Sequence, residues 1–451
     1  MTGSTLATSL VERGLDPGEL ASKTALFDLV LSSVAPQQRG GLHAWWVPGR
    51  LEVFGKHTDY AGGRTLVCAV PRGFAVVAQP RADGALRVVD KRRGQDMTRA
   101  PSHSPTRSPA YTGWRHYVGV VASRLARNFP GAPLGADIVI ASDLPRASGM
   151  SSSSALVIAI ASALARVAAL DRRAEWRENI AGPLDVAGYF ACIENGLSFG
   201  GLSGDSGVGT HGGSEDHAAI LTGMPGRLAA FAFVPMRAIA TVAVPERWRF
   251  VLSPCGVRAQ KTGAAREAYN LLAAGTQVLL DLWNIDSTVR APSLSAALLD
   301  SGANAEDVPP TSSAAVDRLR ALVGSSLIPR WSRDALEKRL DHFIAEDARI
   351  PEAVDAFRHA DERRIGRLAE GSQADAETLL GNQVPETSAL ARAALELGAF
   401  ASSSFGAGFG GSVWALVEHD RADAFARRWH ADAFIAAPGP PAVEVSTTKT
   451  R

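Results

Sequence analysis

The sequence predicts an α+β fold in two domains, and three observations carry that reading. A chain of 451 residues exceeds what one hydrophobic core ordinarily organises. Strand-like and helix-like stretches occur in both halves without strict alternation. A fresh strand signal, "VPERWRFVLSP" at 244–254, follows a break and divides the chain into domains at 1–245 and 246–451.

Taken in order, residues 18–34 carry Phe27, Val30, Leu31 and Val34 at helical spacing. After a turn at "QQRGG", the stretch "LHAWWVPGRLEVFG" is rich in aromatic and β-branched residues and predicts a strand or two. "RTLVCAVPRGFAVVAQPRADGALRVVD" predicts antiparallel strands turning at "ADG", and the polar, proline-rich residues 91–111 predict an exposed loop. The amphipathic "WRHYVGVVASRLARNF" predicts a helix and "GADIVIASDLP" a strand. "RASGMSSSSALVIAIASALARVAAL" then passes from a small-residue loop into a helix that is apolar all round, hence buried. A helix ending near Ile193 leads to a glycine-rich loop, Gly196 to Gly213, and to an element starting at "SEDHAAILTG".

The second half is helix-rich, at "AAREAYNLLAAGTQVLLDLW", "RDALEKRLDHFIAEDARIPEAVDAFRHA" and "SALARAALELG". Residues 287–315 read as a loop-like insertion, "FASSSFGAGFGGSVWALVE" as loop then strand, and "PAVEVST" as a last strand after a helix.

Composition excludes several function classes. The 47 basic and 46 acidic residues nearly cancel, which gives no electrostatic case for nucleic acid or an anionic membrane as partner. The three cysteines, Cys68, Cys192 and Cys255, have the spacing of neither a disulfide framework nor a zinc site. With no run of eighteen apolar residues and no signal-like start, the expectation is a soluble, cytoplasmic protein, monomeric or weakly homo-oligomeric.

The strongest local chemistry is "GMSSSSAL", Gly149 to Leu156. A glycine and serine loop opening a buried helix gathers free backbone N–H groups and the positive end of the helix dipole, which suits phosphate. Gly149 permits close approach, and Ser151, Ser152, Ser153 and Ser154 offer hydroxyls to phosphate oxygens or to magnesium. One serine would suffice for an N-cap. A second glycine cluster, "GAGFGG" at 406–411, lies between helix and strand, the reverse of the dinucleotide fingerprint. It is either a tight turn or a support for the phosphate loop from the other domain.

The order "PGRLEVFGKHTDYAGG", "DLPRASGMSSSSAL", "GTHGGSED", "SSSFGAGFGGSVWALV" resembles the galactokinases of the GHMP small-molecule kinase superfamily over about residues 25 to 430. The resemblance implies an N-terminal domain of the ribosomal S5 domain 2-like type, a C-terminal GHMP kinase domain and a site in the cleft between them. It further implies transfer of the ATP γ-phosphate to the anomeric hydroxyl of a galactose-like sugar, with ATP and Mg2+ as cofactors. Asp216 falls at the family's catalytic aspartate, where a carboxylate orients the C1 hydroxyl and takes its proton. Arg50 matches the arginine that contacts that aspartate and the phosphate. Ser153 and Glu194 match magnesium ligands; His57, Asp59 and Gly213 match sugar contacts; Tyr60 reads as structural. Tyr269 stands, with an offset in the local match, for a sugar-contacting tyrosine of the second domain.

Two departures bear on the substrate. The family's glutamate before the histidine is Lys56 here, at the end expected to meet the sugar's C6 group. An ammonium only donates, so either the C6 end is altered, as in galacturonate, or Lys56 turns away to pair with an acid such as Glu52. "GGSED" likewise stands for the family's Cys-Gly-Ile-Met-Asp. A non-catalytic sugar sensor of galactokinase type is the rival from another class, opposed by the intact serine loop, Asp216 and Arg50. A mevalonate or homoserine kinase is opposed by "HTDY".

Overall fold

The computed structural model describes residues 1–35, 41–99, 111–145, 149–257, 263–299, 311–326 and 328–445. The expected turn at "QQRGG", most of the proline-rich loop and the start of the serine loop lie largely outside the described residues.

The strands are β1 His43–Phe54, β2 Arg64–Pro80, β3 Leu86–Asp90, β4 Gln95–Arg99, β5 Ala136–Ser142, β6 Arg227–Ala232 and β7 Arg237–Ala243, then β8 Trp248–Pro254, β9 Ala401–Phe405, β10 Ser412–Glu418, β11 Phe434–Ala436 and β12 Val443–Glu444. One sheet runs β12-β1-β2-β5-β3-β4, with β6 on β2 and β7 on β6; the other runs β11-β8-β10-β9. The chain crosses from the first sheet to the second between Ala243 and Trp248, and β12 returns to pair with β1.

Both faces of the first sheet are covered because successive side chains on a strand point to opposite sides. Trp45, Val47, Leu51 and Val53 pack with apolar residues of the helices Trp114–Asn128, Ser152–Val167 and Pro183–Asn195. Ala44 and Trp46 pack instead with Leu6, Phe27 and Val30 of the helices Gly3–Val11 and Leu20–Leu31. The second sheet is sandwiched in the same way: Phe250, Leu252 and Trp414 face the main core, whereas Val251, Val413 and Ala415 face the helices Pro385–Glu396 and Ala422–Trp429. Each such fully buried large apolar side chain contributes about 1.5–3 kcal/mol. A separate cluster of Leu279, Leu294, Leu319, Leu336 and Leu340 includes Ala61, so the helices Gly263–Asp286, Leu294–Leu298, Ser313–Ser325 and Arg333–Arg358 pack onto the turn after β1.

Several sequence expectations need correction. β2 and β3 are not paired with each other; β5 lies between them, parallel to β3 and antiparallel to β2. Residues 95–99, expected in a loop, form β4, with Met97 and Arg99 buried against the helix that follows. Within 287–315 the helix Leu294–Leu298 is buried core, capped by Ser293. The serines at 402–404 belong to strand β9 and are fully buried, although a polar run resembles a loop.

A candidate active site between the two sheets

The site is assembled by the turn after β1. Register shifts on β1 between Pro48 and Arg50, and again between Glu52 and Phe54, re-aim the strand where these side chains leave it. The Thr58 hydroxyl donates to the carbonyls of Gly55 and Arg64, at 2.8 and 2.7 Å, and so folds the turn on itself. His57 takes a left-handed backbone, φ 58°, which the surrounding bonds hold. Its Nδ1 meets the Tyr60 hydroxyl at 2.8 Å and its Nε2 the Ala407 carbonyl at 3.1 Å. Buried Arg339 donates to the His57 carbonyl and to the Tyr60 hydroxyl, so Tyr60 serves the shape of the turn.

Asp59 follows, its carboxylate accepting from the backbone N–H of Tyr60 at 2.8 Å and of Glu215 at 3.1 Å. Burial pushes its carboxyl above the ordinary range, partly opposed by those N–H bonds. Gly213 packs so closely on Asp59 that a Cβ there would overlap the carboxylate, so only glycine fits.

Arg50 links three elements. Its Nε donates to Asp216 Oδ1 at 2.7 Å, and its Nη1 to the Gly149 carbonyl at 2.6 Å. The Ser154 hydroxyl donates to Asp216 Oδ2 at 3.0 Å. Burial works against the guanidinium's charge, but three carboxylates, Asp216 foremost, outweigh it and raise its pKa. Asp216 sits in the first turn of the helix Glu215–Thr222, and Ser154 in that of Ser152–Val167. One guanidinium therefore ties β1 to the two helix N-termini.

The serine loop enters its helix through Ser151, in a left-handed conformation with its hydroxyl buried and without a hydrogen-bond partner. Ser152 and Ser153 are half-buried in the first turn. The two glycine loops meet, since a Cβ on Gly406 would lie 2.8 Å from the Gly149 carbonyl. The "GAGFGG" cluster therefore abuts the serine loop.

One cavity gathers these groups: Arg50, His57, Asp59, Ser154, Glu194, Gly213, Asp216 and Tyr269 all line it. Tyr269 stands with its ring 5.2 Å from that of His57, and burial pushes its phenol well up. Glu194 closes the helix Pro183–Asn195, buried, with neither carboxylate oxygen hydrogen-bonded and His217 Nε2 3.5 Å away. Such an acceptor suits a hard cation.

Lys56 is not brought to this cavity. It is 1% exposed, and its ammonium donates to Ser372 Oγ at 2.6 Å and to Ser403 Oγ at 2.8 Å. Its main charge partner is Glu346, whose Oε1 also accepts from the backbone of Gly55 and Lys56 and from Ser372. Burial lowers the Lys56 pKa; it opposes ionisation of Glu346 too, but Lys56 and Arg349 outweigh it there and hold that carboxyl low. The expected partner Glu52 contributes less than Glu346, so Lys56 is a staple from the turn to the second sheet.

Reading by motif missed Glu215 and His217 in the cavity wall and gave Glu52 no part in it. Glu52 had a visible signal, being an acid in an apolar strand two residues from Arg50 and hence on its side of the strand.

Family comparisons agree with this geometry. Residues 116–193 match the model of the GHMP kinases N terminal domain and residues 353–436 that of the GHMP kinases C terminal. The chain is thus similar to the GHMP kinases in both halves of their domain pair. The chain is a phosphotransferase with an alcohol group as acceptor. Residues 37–80, which hold β1, the turn and the whole of β2, match the galactokinase galactose-binding signature. Similar curated proteins include the galactokinase of Exiguobacterium sibiricum, 24% identical over 88% of this chain and 90% of that protein. The galactokinase of a Roseiflexus species is 28% identical over 86% and 88%. Among solved structures, Lactococcus lactis galactokinase complexed with galactose superposes with a TM-score of 0.73 at 20% identity, covering 93% of this chain and 99% of that one. Methanococcus jannaschii mevalonate kinase gives 0.58 at 13% identity, covering 89% and 99%. These likenesses establish the two-domain α+β kinase fold. No helix among the described residues is long and apolar enough to cross a membrane.

Proposed function

We propose that this chain is a GHMP kinase that transfers the ATP γ-phosphate to the C1 hydroxyl of galactose or a galactose-like monosaccharide. The observation that carries the reading is the Arg50–Asp216–Ser154 constellation at two helix N-termini, in one cavity with His57, Asp59 and Gly213. The triphosphate lies along the Gly149–Ser154 loop, held by free N–H groups and hydroxyls. The C1 hydroxyl donates to Asp216, which takes the proton as the O1–Pγ bond forms and the bond from Pγ to the ADP oxygen breaks. Arg50 orients Asp216 and offsets charge on the transferring phosphoryl group. Asp59 accepts from adjacent sugar hydroxyls, and His57 and Tyr269 frame the ring.

Ser153 and Glu194 are the residues that would hold Mg2+, and the buried Glu194 carboxylate, which accepts no hydrogen bond, fits that task. Bound there, the ion would neutralise charge between the β- and γ-phosphates. Domains at 1–245 and 246–451, cytoplasmic residence and a monomer or weak homo-oligomer complete the reading.

The position of Lys56 removes the cation on which a galacturonate reading would rest, and the intact Arg50–Asp216 pair opposes a mere sensor. ADP release measured with galactose, galacturonate, glucose and pentoses tests the assignment. Galactose-type hexoses turned over well above the rest support it; turnover confined to galacturonate, or none with any sugar, overturns it.

A further inference from the structure

Two carboxyl groups of the cavity wall have no part in the reading above. Glu52 on β1 is 3% exposed and Glu215, beside Asp216, is 4% exposed. Both are buried around one guanidinium that Asp216 already engages, so that three ionised carboxylates would share a single cation there. Both press on Arg50: Glu215 Oε1 lies 3.1 Å from Nε, the same nitrogen that holds Asp216, and Glu52 Oε2 lies 3.6 Å from Nη2. Glu52 Oε1 has no hydrogen-bond partner.

We propose that Glu52 and Glu215 share one proton at neutral pH, and that this proton commits Arg50 to Asp216 and to the incoming phosphate. The charges facing the pair are Arg50 from β1, Lys56 and Asp59 from the turn, Asp216 from the adjacent helix and Glu346 from Arg333–Arg358. Lys56, the second cation, is engaged by Glu346, Ser372 and Ser403. One guanidinium is thus left to three carboxylates, and holding one of them as the acid relieves the excess. Burial is the largest influence on both groups and raises both, Glu52 to about 7 against the pull of Arg50 and Lys56.

Loss of the proton would place a full negative charge within hydrogen-bond distance of Arg50 Nε. Glu215 would then compete with Asp216 for that nitrogen, and the added charge would repel the triphosphate. An acid pair loses its proton as pH rises, so the efficiency of phosphate transfer falls on the alkaline side. Glu52 and Glu215 are positioning residues, because they act through Arg50.

The role of Arg50 rests on the kinase reading, but the shared proton does not, and the test separates them. Infrared difference spectra of the full chain without substrate report protonated carboxyl groups. The expected result is a protonated band at neutral pH that vanishes above about pH 8 and is missing from both Glu52→Gln and Glu215→Gln. A wild-type spectrum without that band overturns the proposal, whatever the variants do. With the best sugar, wild-type kcat/KM for ATP is expected to fall about tenfold between about pH 7 and about pH 8.5. In either variant the fall shrinks below about twofold. An identical fall in wild type and variants, or none in wild type, overturns the role in positioning Arg50. Absence of turnover with every sugar counts against the kinase reading, while the infrared result still decides the shared proton.

Discussion

Replacing Lys56 by methionine keeps the length of the side chain and removes its charge. In the native structure the ammonium makes two hydrogen bonds, to Ser372 and Ser403, in a fully buried setting next to Glu346. Hydrogen bonds to a charged group contribute about 1.5–3 kcal/mol each. Against their loss stands relief from burying an ammonium, several kcal/mol after relaxation. The Glu346 carboxylate keeps Arg349 at 2.8 Å and its backbone donors, so it is weakened but not orphaned. The net cost is then on the order of 3 kcal/mol, as for breaking other buried pairs. In a chain of this size that lowers Tm by about 3–6 °C in a thermal melt followed by circular dichroism. Because Lys56 anchors the turn without entering the cavity, KM rises together for galactose and galacturonate, and their ratio stays within about twofold. An unchanged melt with a shifted sugar ratio would refute the reasoning, since Lys56 would then touch substrate.

Other consequences follow from the same geometry. In Gly213→Ala the new methyl group must displace the Asp59 carboxylate, so sugar KM rises at least about tenfold while KM for ATP moves little, as steady-state kinetics would register. Ser154→Ala removes one hydrogen bond to the charged Asp216, worth about 1.5–3 kcal/mol, and lowers kcat at least about tenfold in the same assay. For stability, Glu52 carries a carboxyl raised from 4.5 to about 7, so the folded chain binds that proton more tightly than the unfolded chain. That contribution is full below about pH 4.5 and is lost as pH rises through about 7. Glu52→Gln therefore narrows the gap in Tm between about pH 6 and about pH 8, measured by calorimetry; an unchanged gap contradicts the assignment.

The residues of the site that could be read from sequence are those whose chemistry is local. Ser151 to Ser154 precede an apolar helix, which by itself suits phosphate, whereas the sugar role expected of His57 and Asp59 comes from the family resemblance of their turn. The direction of Lys56 could not be read that way, because Glu346, Ser372 and Ser403 lie about three hundred residues further on. The Glu52–Glu215 pair has the same character, two elements distant in sequence that meet only at Arg50. In β9 two of the three core serines have side-chain partners: the Ser402 hydroxyl donates to the Trp414 carbonyl at 2.9 Å, and Ser403 accepts from Lys56, whereas the Ser404 hydroxyl has no hydrogen-bond partner. Strand β4 was hidden by its length, with only Met97 and Arg99 pointing inward.

The carbon that carries the phosphate in the product decides between these chemistries. Incubating the chain with ATP, Mg2+ and galactose and recording the phosphorus spectrum with proton coupling locates the new ester. The account predicts phosphate on C1 and, with Asp216→Asn, a rate lower by about 10²–10⁴ in a protein that melts normally. Phosphate on any other carbon, or an undiminished rate in Asp216→Asn, would contradict it.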